Sequence, residues 1–461
     1  MAHISNQILQ EFNKYRSKHR HLCNAPFASL KISMDGRVSP CCFNKSMDEQ
    51  YFTKSLHDIW EGDIFESYRK NIKKNILPAA CINCEKFLQN REFHSVKIRQ
   101  YDNLRIPKFR TIKPRVIEMA LSNNCNLECI MCNGRYSSAI RKNREKLPPL
   151  ESRFGQTFRN ELLEFIPGLQ KAVFAGGEPF LTPLYYDIWE DIIRINPSCE
   201  ISVITNGTIL NDKVKEILDR GNFNIVLSFD AAKKETYENI RINASYEETI
   251  FNMEYFDKYL KLKAKRLHIP VCPLKENRFE IPDLVRFCNQ RQYSMNFVTV
   301  TSSFSHAMWA LNSDELIQLK DYYLTQNFEL KDENSKINIM EFDDLVSRID
   351  IWIKEANLRE NFKSKFDLSQ SNVKELKRKF FVNIYKCLSD LYSGSEYREK
   401  KQLIQNNFSE ALMELPDYFE SNHFYAVLNK ISPLAIINIL LNFHVSMIAE
   451  NAREIFYYNN Y

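Results

Sequence analysis

Three cysteines, Cys125, Cys129 and Cys132, lie in the run Leu121-Ser-Asn-Asn-Cys-Asn-Leu-Glu-Cys-Ile-Met-Cys132, directly after the apolar stretch Val116 to Leu121. Three thiolates this close together can hold three irons of a 4Fe-4S cluster, and the missing fourth leaves one iron open for a cofactor or substrate. The open iron is where chemistry is expected. A structural zinc site normally takes four protein ligands, and no nearby His or Cys completes this set.

A second group of thiols, Cys23, Cys41, Cys42, Cys81 and Cys84, precedes the triplet. Asp35-Gly36 reads as a hairpin turn between two short strands, which brings Cys23 and Cys41 near each other. Cys81 and Cys84 then close a four-thiolate site. With no coordination position left vacant, such a site suits structure or electron transfer. Zinc would be served equally well by four cysteines, so the residues alone leave both metals open.

Composition supports a reduced compartment. The chain has 461 residues, 44% hydrophobic and 13% aromatic, enough to bury a large core and to divide into two or three domains. Its net charge of +5, from 63 basic and 58 acidic residues in mixed order, argues against nucleic acid as a partner. The segment Met1 to Leu22 lacks an apolar core, so no secretory signal is read there and a cytoplasmic location is expected. Ile431 to Ile448 is interrupted by Ser432, Pro433, Asn438, Asn442, His444 and Ser446, which fits a buried helix and not a membrane span. Twelve cysteines in a reducing compartment point to metal ligation over disulfides.

The elements that must position the triplet follow from periodicity. β-branched, apolar runs at Val116 to Leu121, Lys171 to Ala175, Ile201 to Thr205, Ile225 to Phe229, Leu267 to Cys272 and Phe297 to Thr301 predict six strands. Amphipathic stretches at Leu184 to Ile195, Asp212 to Leu218, Tyr246 to Leu262 and Ile281 to Asn289 are long enough to be crossover helices. The pattern predicts an α/β fold, a partial (β/α)6 TIM-like barrel, with a small cysteine-rich domain before it and a helical extension after it. The expected boundaries are residues 1–105, 106–305 and 306–461. In parallel α/β folds the site forms at the carboxyl ends of the strands. Gly176-Gly177-Glu178-Pro179, Thr205-Asn206-Gly207 and Ser228-Phe229-Asp230 all fall there. Paired glycines let backbone approach a ligand, and Glu178 can accept from an ammonium, a combination suited to an amino acid moiety.

Taken together, the Cys-x-x-x-Cys-x-x-Cys triplet after strand one, Gly176 to Pro179 after strand two, and Ser228 with Asp230 on strand four resemble the radical S-adenosylmethionine (radical SAM) superfamily. That resemblance implies a 4Fe-4S cluster on Cys125, Cys129 and Cys132, with S-adenosylmethionine chelating its open iron. One electron then cleaves the cofactor to a 5'-deoxyadenosyl radical, which takes a hydrogen atom from a shielded substrate. It also implies that Gly176, Gly177, Glu178 and Pro179 meet the methionine amino group and Ser228 a ribose hydroxyl, with Asn206 lining the site. Where the family has an aromatic residue before the third cysteine, this chain has Met131, whose thioether can also contact adenine. Arg241 reads either as a partner of the cofactor carboxylate or as an exposed helix-end cation.

The N-terminal segment is similar to SPASM/twitch domains, which carry auxiliary iron-sulfur clusters. Cys23, Gly36 and Cys41 meet the pattern of cysteine, spacer, glycine, four residues and cysteine, and Cys81 with Cys84 meet its Cys-x-x-Cys. The family spacing favours Cys41 over Cys42 and one auxiliary 4Fe-4S cluster. Such domains usually follow the barrel, whereas this one precedes it.

Beyond Ser303 the periodicity is helical: Leu316, Leu319 and Tyr323 share a face, as do Leu345, Ile349 and Trp352, and Val373, Leu376, Phe380, Ile384 and Cys387. Trp309, Tyr322, Tyr323 and Tyr457-Tyr458 read as packing. Cys272, in Pro270-Val-Cys-Pro273, is expected at the end of the fifth strand. There it is either a buried strand thiol or a hydrogen-atom donor to a carbon radical. The implied function is radical modification of a peptide or protein side chain (cross-link, epimerisation or oxidation), with a dehydrogenase or epimerase of a sugar, aminocyclitol or other small metabolite as the alternative. Either needs an electron donor such as flavodoxin or ferredoxin. A non-enzymatic iron-sulfur or zinc protein is the remaining class, and the Gly-Gly-Glu-Pro and Ser228-Asp230 motifs argue against it.

Overall fold

The computed structural model describes residues 2–16, 21–44, 51–89, 91, 93, 96–104, 113–300, 303, 305–365, 373–413, 415, 422–429, 431, 433–442, 448–449 and 452. Tyr457-Tyr458, read above as packing, lie outside these residues. The chain divides into two compact units, the first comprising residues 1–128, 136–229 and 243–269, the second 129–135, 230–242 and 270–461.

The first unit opens with β1 (Ala2–His3) and then the hairpin β2 (Ser29–Ser33) and β3 (Val38–Ser39); β4 (Ile76–Leu77) pairs antiparallel with β1. Gly36 has φ +81°, the conformation a tight turn after Asp35 requires, so the expected hairpin is present. The barrel strands β5 (Val116–Ala120), β6 (Lys171–Phe174), β7 (Glu200–Thr205), β8 (Phe223–Leu227) and β9 (His268–Val271) are joined in parallel, and β2 adds to the free edge of β5, also in parallel. The extra strand gives β5 a neighbour on both sides, so its edge is not left unpaired.

The pleat sorts side chains between two faces. Phe174 meets the rings of Tyr185 and Trp189, which belong to the helix Pro183–Ile195, at 5.0 and 5.5 Å. Ile117 with Met119 and Ile201 with Val203 share that face through their register with β6, and all four are buried. Lys31, Glu118, Val173 and Ser202 therefore point the other way, with Lys31 and Glu118 paired at 2.8 Å. Alternation of this kind is what Val-Ile-Glu-Met-Ala encodes. The predicted helices are found at Pro183–Ile195, Asp212–Arg220, Tyr246–Leu262 and Ile281–Arg291, the last in the second unit.

In the second unit, β10 (Ser294–Phe297) corrects the sixth predicted strand, which was expected from Phe297 to Thr301. The apolar run Phe-Val-Thr-Val drew the reading too far downstream. Met295 and Phe297 are the buried pair of a half-covered strand, and Val298 is already exposed although its N–H still reaches Val271 O at 2.8 Å. The helical region follows the predicted faces. Leu316, Leu319 and Tyr323 are buried on Ser313–Leu324, and Leu345, Ile349 and Trp352 on Glu333–Lys365. Cys387 packs against a core containing Phe380, Ile384 and Leu388, in agreement with its reading as a core residue. Pro433–Asn442 contributes Ile436, Ile437 and Leu440 to the same core. Among the described residues no helix is long and apolar enough to cross a membrane.

Candidate functional site

The N-terminal thiols are brought together by three local devices. The hairpin delivers Cys41, the turn into the short helix Ala25–Ala28 fixes Cys23, and a helical turn Ala79–Cys81 running into Ile82–Gln89 sets Cys81 and Cys84. All four line one pocket, together with residues such as Pro40 and Tyr101. Cys42 does not line it; its thiol feels the charges of Glu118, Lys97 and Lys31. Burial pushes the Cys41, Cys81 and Cys84 thiols up to about 12, and Cys23 well above its ordinary value; neighbouring thiolates add to each shift.

Four thiolates sharing one pocket repel, so they are compatible only with a cationic occupant that replaces their protons. Each sulfur is also met by N–H donors: Ala25 N–H at Cys23, Phe43 and Asn44 N–H at Cys41, Lys97 and Ile98 N–H at Cys84, and the Asn44 side-chain amide at Cys81. Such donors suit metal-bound thiolates. These four sulfurs surround one space.

The triplet is divided, with Cys125 in the first unit and Cys129 and Cys132 in the second. In the first unit, Cys125 follows β5 on a loop held from both sides. Its N–H donates to Ser138 Oγ (3.1 Å), and Tyr185 Oη accepts from Leu121 N–H (2.8 Å) while donating to Ala175 O (2.9 Å), which ties the ends of β5 and β6. The Gly-Gly turn lies directly on this loop. Gly177 N–H reaches Ser122 O at 2.9 Å, and a Cβ on Gly177 would fall 2.2 Å from Asn124 O. Gly176 adopts φ +113°, where a Cβ would meet Ser122 O at 2.5 Å, so both positions require glycine.

Glu178 is fully buried, and its carboxylate accepts from Thr205 Oγ1 (2.9 Å), Phe180 N–H (3.1 Å) and Asn206 N–H (2.8 Å). It braces the turn against the end of β7. Pro179, also buried, starts the short helical turn Pro179–Leu181. Asn206 extends the brace to the thiol: its amide Nδ2 lies 3.8 Å from Cys125 Sγ and 3.1 Å from Asn126 Oδ1. Ser228, partly buried just beyond β8, donates its N–H to Thr205 O at 2.9 Å. Burial and the Glu178 charge push the Cys125 thiol up, partly offset by the Leu127 N–H and the Asn206 amide.

In the second unit, Cys132 N–H closes a turn on Cys129 O at 3.0 Å, and Ile130 N–H bonds Ile240 O at 3.0 Å. Arg241, far from being an exposed helix-end cation, is 5% exposed and pairs with the fully buried Asp230 at 2.6 Å. Asp230 Oδ1 accepts from Cys272 N–H at 2.7 Å, and Asn277 Nδ2 donates to the carbonyls of both Asp230 (2.8 Å) and Cys272 (2.9 Å). Met131 and Cys272 pack against one apolar cluster of Ile240, Leu274, Val300 and Ala307. Burial, then the Asp230 carboxylate, raise the Cys272 thiol, so it stays protonated near neutral pH.

Sequence reasoning singled out the cysteine and motif residues but missed Tyr185, Ser138 and Asn44. Asn44 had a usable signal, since it lies two residues beyond Cys42 and carries a side chain able to donate. Tyr185 and Ser138 act through tertiary contact alone.

Residues 119–288 match the family model described as the radical SAM superfamily, and residues 23–85 match SPASM, described as an iron-sulfur cluster-binding domain. The chain is a radical SAM protein with an N-terminal SPASM domain. These domains imply 4Fe-4S clusters, and the radical SAM domain implies S-adenosylmethionine. The chain is 26% identical over 188 residues to a GTP 3',8-cyclase of Clostridium perfringens, covering 40% of this chain and 54% of that one. Against a GTP 3',8-cyclase of Aliarcobacter butzleri it is 24% identical over 240 residues, covering 50% and 69%. The chain thus spans about half the length of the first of these relatives. Solved structures similar to this radical SAM protein include Streptococcus suis SuiB bound to the precursor peptide SuiA (18% identity, 58% and 57% covered, TM-score 0.34). Another is anSMEcpe with bound AdoMet (16% identity, 45% and 58% covered, TM-score 0.36).

Proposed function

We propose that this protein cleaves S-adenosylmethionine reductively and uses the resulting 5'-deoxyadenosyl radical to modify a peptide or protein side chain. The observation that carries the reading is the pairing of two different cysteine sets in matched domains: a triplet with one ligand short, and a four-thiol pocket with none short. The cluster on Cys125, Cys129 and Cys132 would supply the electron that cleaves the cofactor. The chain's own residues bind and shield. Gly176, Gly177 and Pro179 offer backbone to the methionine moiety, and Glu178 holds that backbone in place. Asn206 steadies the Cys125 sulfur, Ser228 takes a ribose hydroxyl and Met131 lies against adenine. Asp230 and Arg241 fix the strand end on which Cys272 stands, with Arg241 also suited to the cofactor carboxylate. The domain boundaries proposed with this reading are residues 1–105, 106–305 and 306–461. A one-electron carrier such as flavodoxin or ferredoxin in the cytoplasm completes the scheme.

Modification of a peptide is favoured by the SPASM match, because the resemblance implies auxiliary clusters of the kind carried by many peptide-modifying enzymes. A small-molecule reaction is the second reading, favoured by relatives named GTP 3',8-cyclase. Anaerobic reconstitution with dithionite and S-adenosylmethionine tests the core of the proposal through release of 5'-deoxyadenosine. Deuterated candidate substrates separate the two readings, since label enters 5'-deoxyadenosine from the true substrate class alone.

Two further outcomes are expected. With the triplet replaced by alanine, Cys41→Ser should lower iron and sulfide per chain while Cys42→Ser leaves them unchanged; the reverse pattern would exchange their roles. Cys272 is proposed as the hydrogen-atom donor that quenches a substrate radical, because it stands just beyond β9 with its N–H anchored on Asp230 and packs against the same apolar cluster as Met131. Cys272→Ala should preserve 5'-deoxyadenosine release and change the product or its stereochemistry. An unchanged product would leave Cys272 as a packing residue.

A further inference from the structure

The four thiols of the N-terminal pocket differ in how they are met. Cys23, Cys41 and Cys84 are buried and receive backbone N–H groups, which side-chain substitutions other than proline leave in place. Cys81 is only partly buried, and the Asn44 side-chain amide reaches its sulfur with Nδ2 at 3.8 Å. Asn44 is placed for this by the turn after the hairpin, where its backbone N–H closes on Cys41 O at 3.2 Å. One residue thus connects two of the four sulfurs, through its backbone at Cys41 and through its amide at Cys81.

We infer that Asn44 is a positioning residue that sets the reduction potential of the auxiliary iron-sulfur site through its amide contact with Cys81. The inference rests on the reading of this pocket as a cluster site. Reduction adds negative charge that is shared with the ligating sulfurs, and an N–H dipole aimed at a sulfur stabilises the more negative state. Removing the amide moves the potential in the negative direction. Replacing it with a carboxylate moves it further, because a donor is lost and a charge is gained at one position.

The test uses the full chain with Cys125, Cys129 and Cys132 changed to Ala, so that the auxiliary site is the one remaining centre. Asn44→Ala and Asn44→Asp are compared with this parent by iron and sulfide content and by redox titration followed by EPR and visible absorption. Iron content equal to the parent, with midpoint potentials falling in the order parent, Asn44→Ala, Asn44→Asp, is the expected result. Equal iron with an unchanged potential in either variant overturns the role of Asn44. Loss of iron in both variants also overturns it, since Asn44 would then be an assembly residue; if only the alanine variant loses iron, the aspartate variant decides by its potential. A parent that binds no iron refutes the cluster reading instead, which keeps the two failures distinct.

Discussion

Replacing Cys125, Cys129 and Cys132 together with alanine is expected to abolish 5'-deoxyadenosine formation and to lower iron from about eight to about four atoms per chain. The size of the effect follows from coordination number. On the proposed ligation these three thiolates would be the whole protein contribution to the radical SAM cluster, so no residual ligation would sustain it, and without it no electron would reach the cofactor. The auxiliary pocket has its own four thiols, drawn from segments that share no residue with the triplet, and should keep its iron. Iron analysis and a chromatographic assay after anaerobic reconstitution check both halves. Release of 5'-deoxyadenosine by the variant at the wild-type rate would refute the assignment of the triplet. Retention of all the iron would place the missing cluster elsewhere.

How much of this was legible in the sequence depended on the kind of constraint. The barrel strands β5 to β9 could be read because each alternates between a helix-facing apolar side chain and a partner on the other face. Ile117 and Met119 against Glu118 are the clearest case. The triplet and the Gly-Gly turn were legible because both are fixed by short-range chemistry: thiols at close spacing, and two positions where a Cβ would collide with the Ser122 and Asn124 carbonyls. Glu178 was legible as a residue but not in its contacts. An acidic side chain after two glycines suggests a free acceptor, whereas the fold closes Thr205, Phe180 and Asn206 around it. Arg241 was ambiguous for the same reason, because its partner Asp230 is brought to it only by the tertiary structure. The parallel pairing of β2 with β5 could not be foreseen either. It pairs residues 87 positions apart (Leu30 with Ile117 is one pair), and nothing local in Ser29–Ser33 names that neighbour.

Arg241→Ala should be the most destabilising of the non-cysteine substitutions, by about 3–5 kcal/mol, the cost typical of stranding one partner of a buried ion pair. Asp230 is fully buried, and its other polar contacts, the Cys272 N–H at Oδ1 and the Asn277 amide at its carbonyl, carry no positive charge. With Arg241 gone, the carboxylate keeps its desolvation penalty and loses its counter-charge. Removing both charges, as in Asp230→Leu with Arg241→Met, should recover most of the loss, since no buried charge is left unpaired. Urea denaturation of the three proteins measures these differences. A single-variant deficit below about 0.5 kcal/mol, or a double variant no better than Arg241→Ala, would mean that the pair is solvated in use and that Asp230 is held by Asn277 instead.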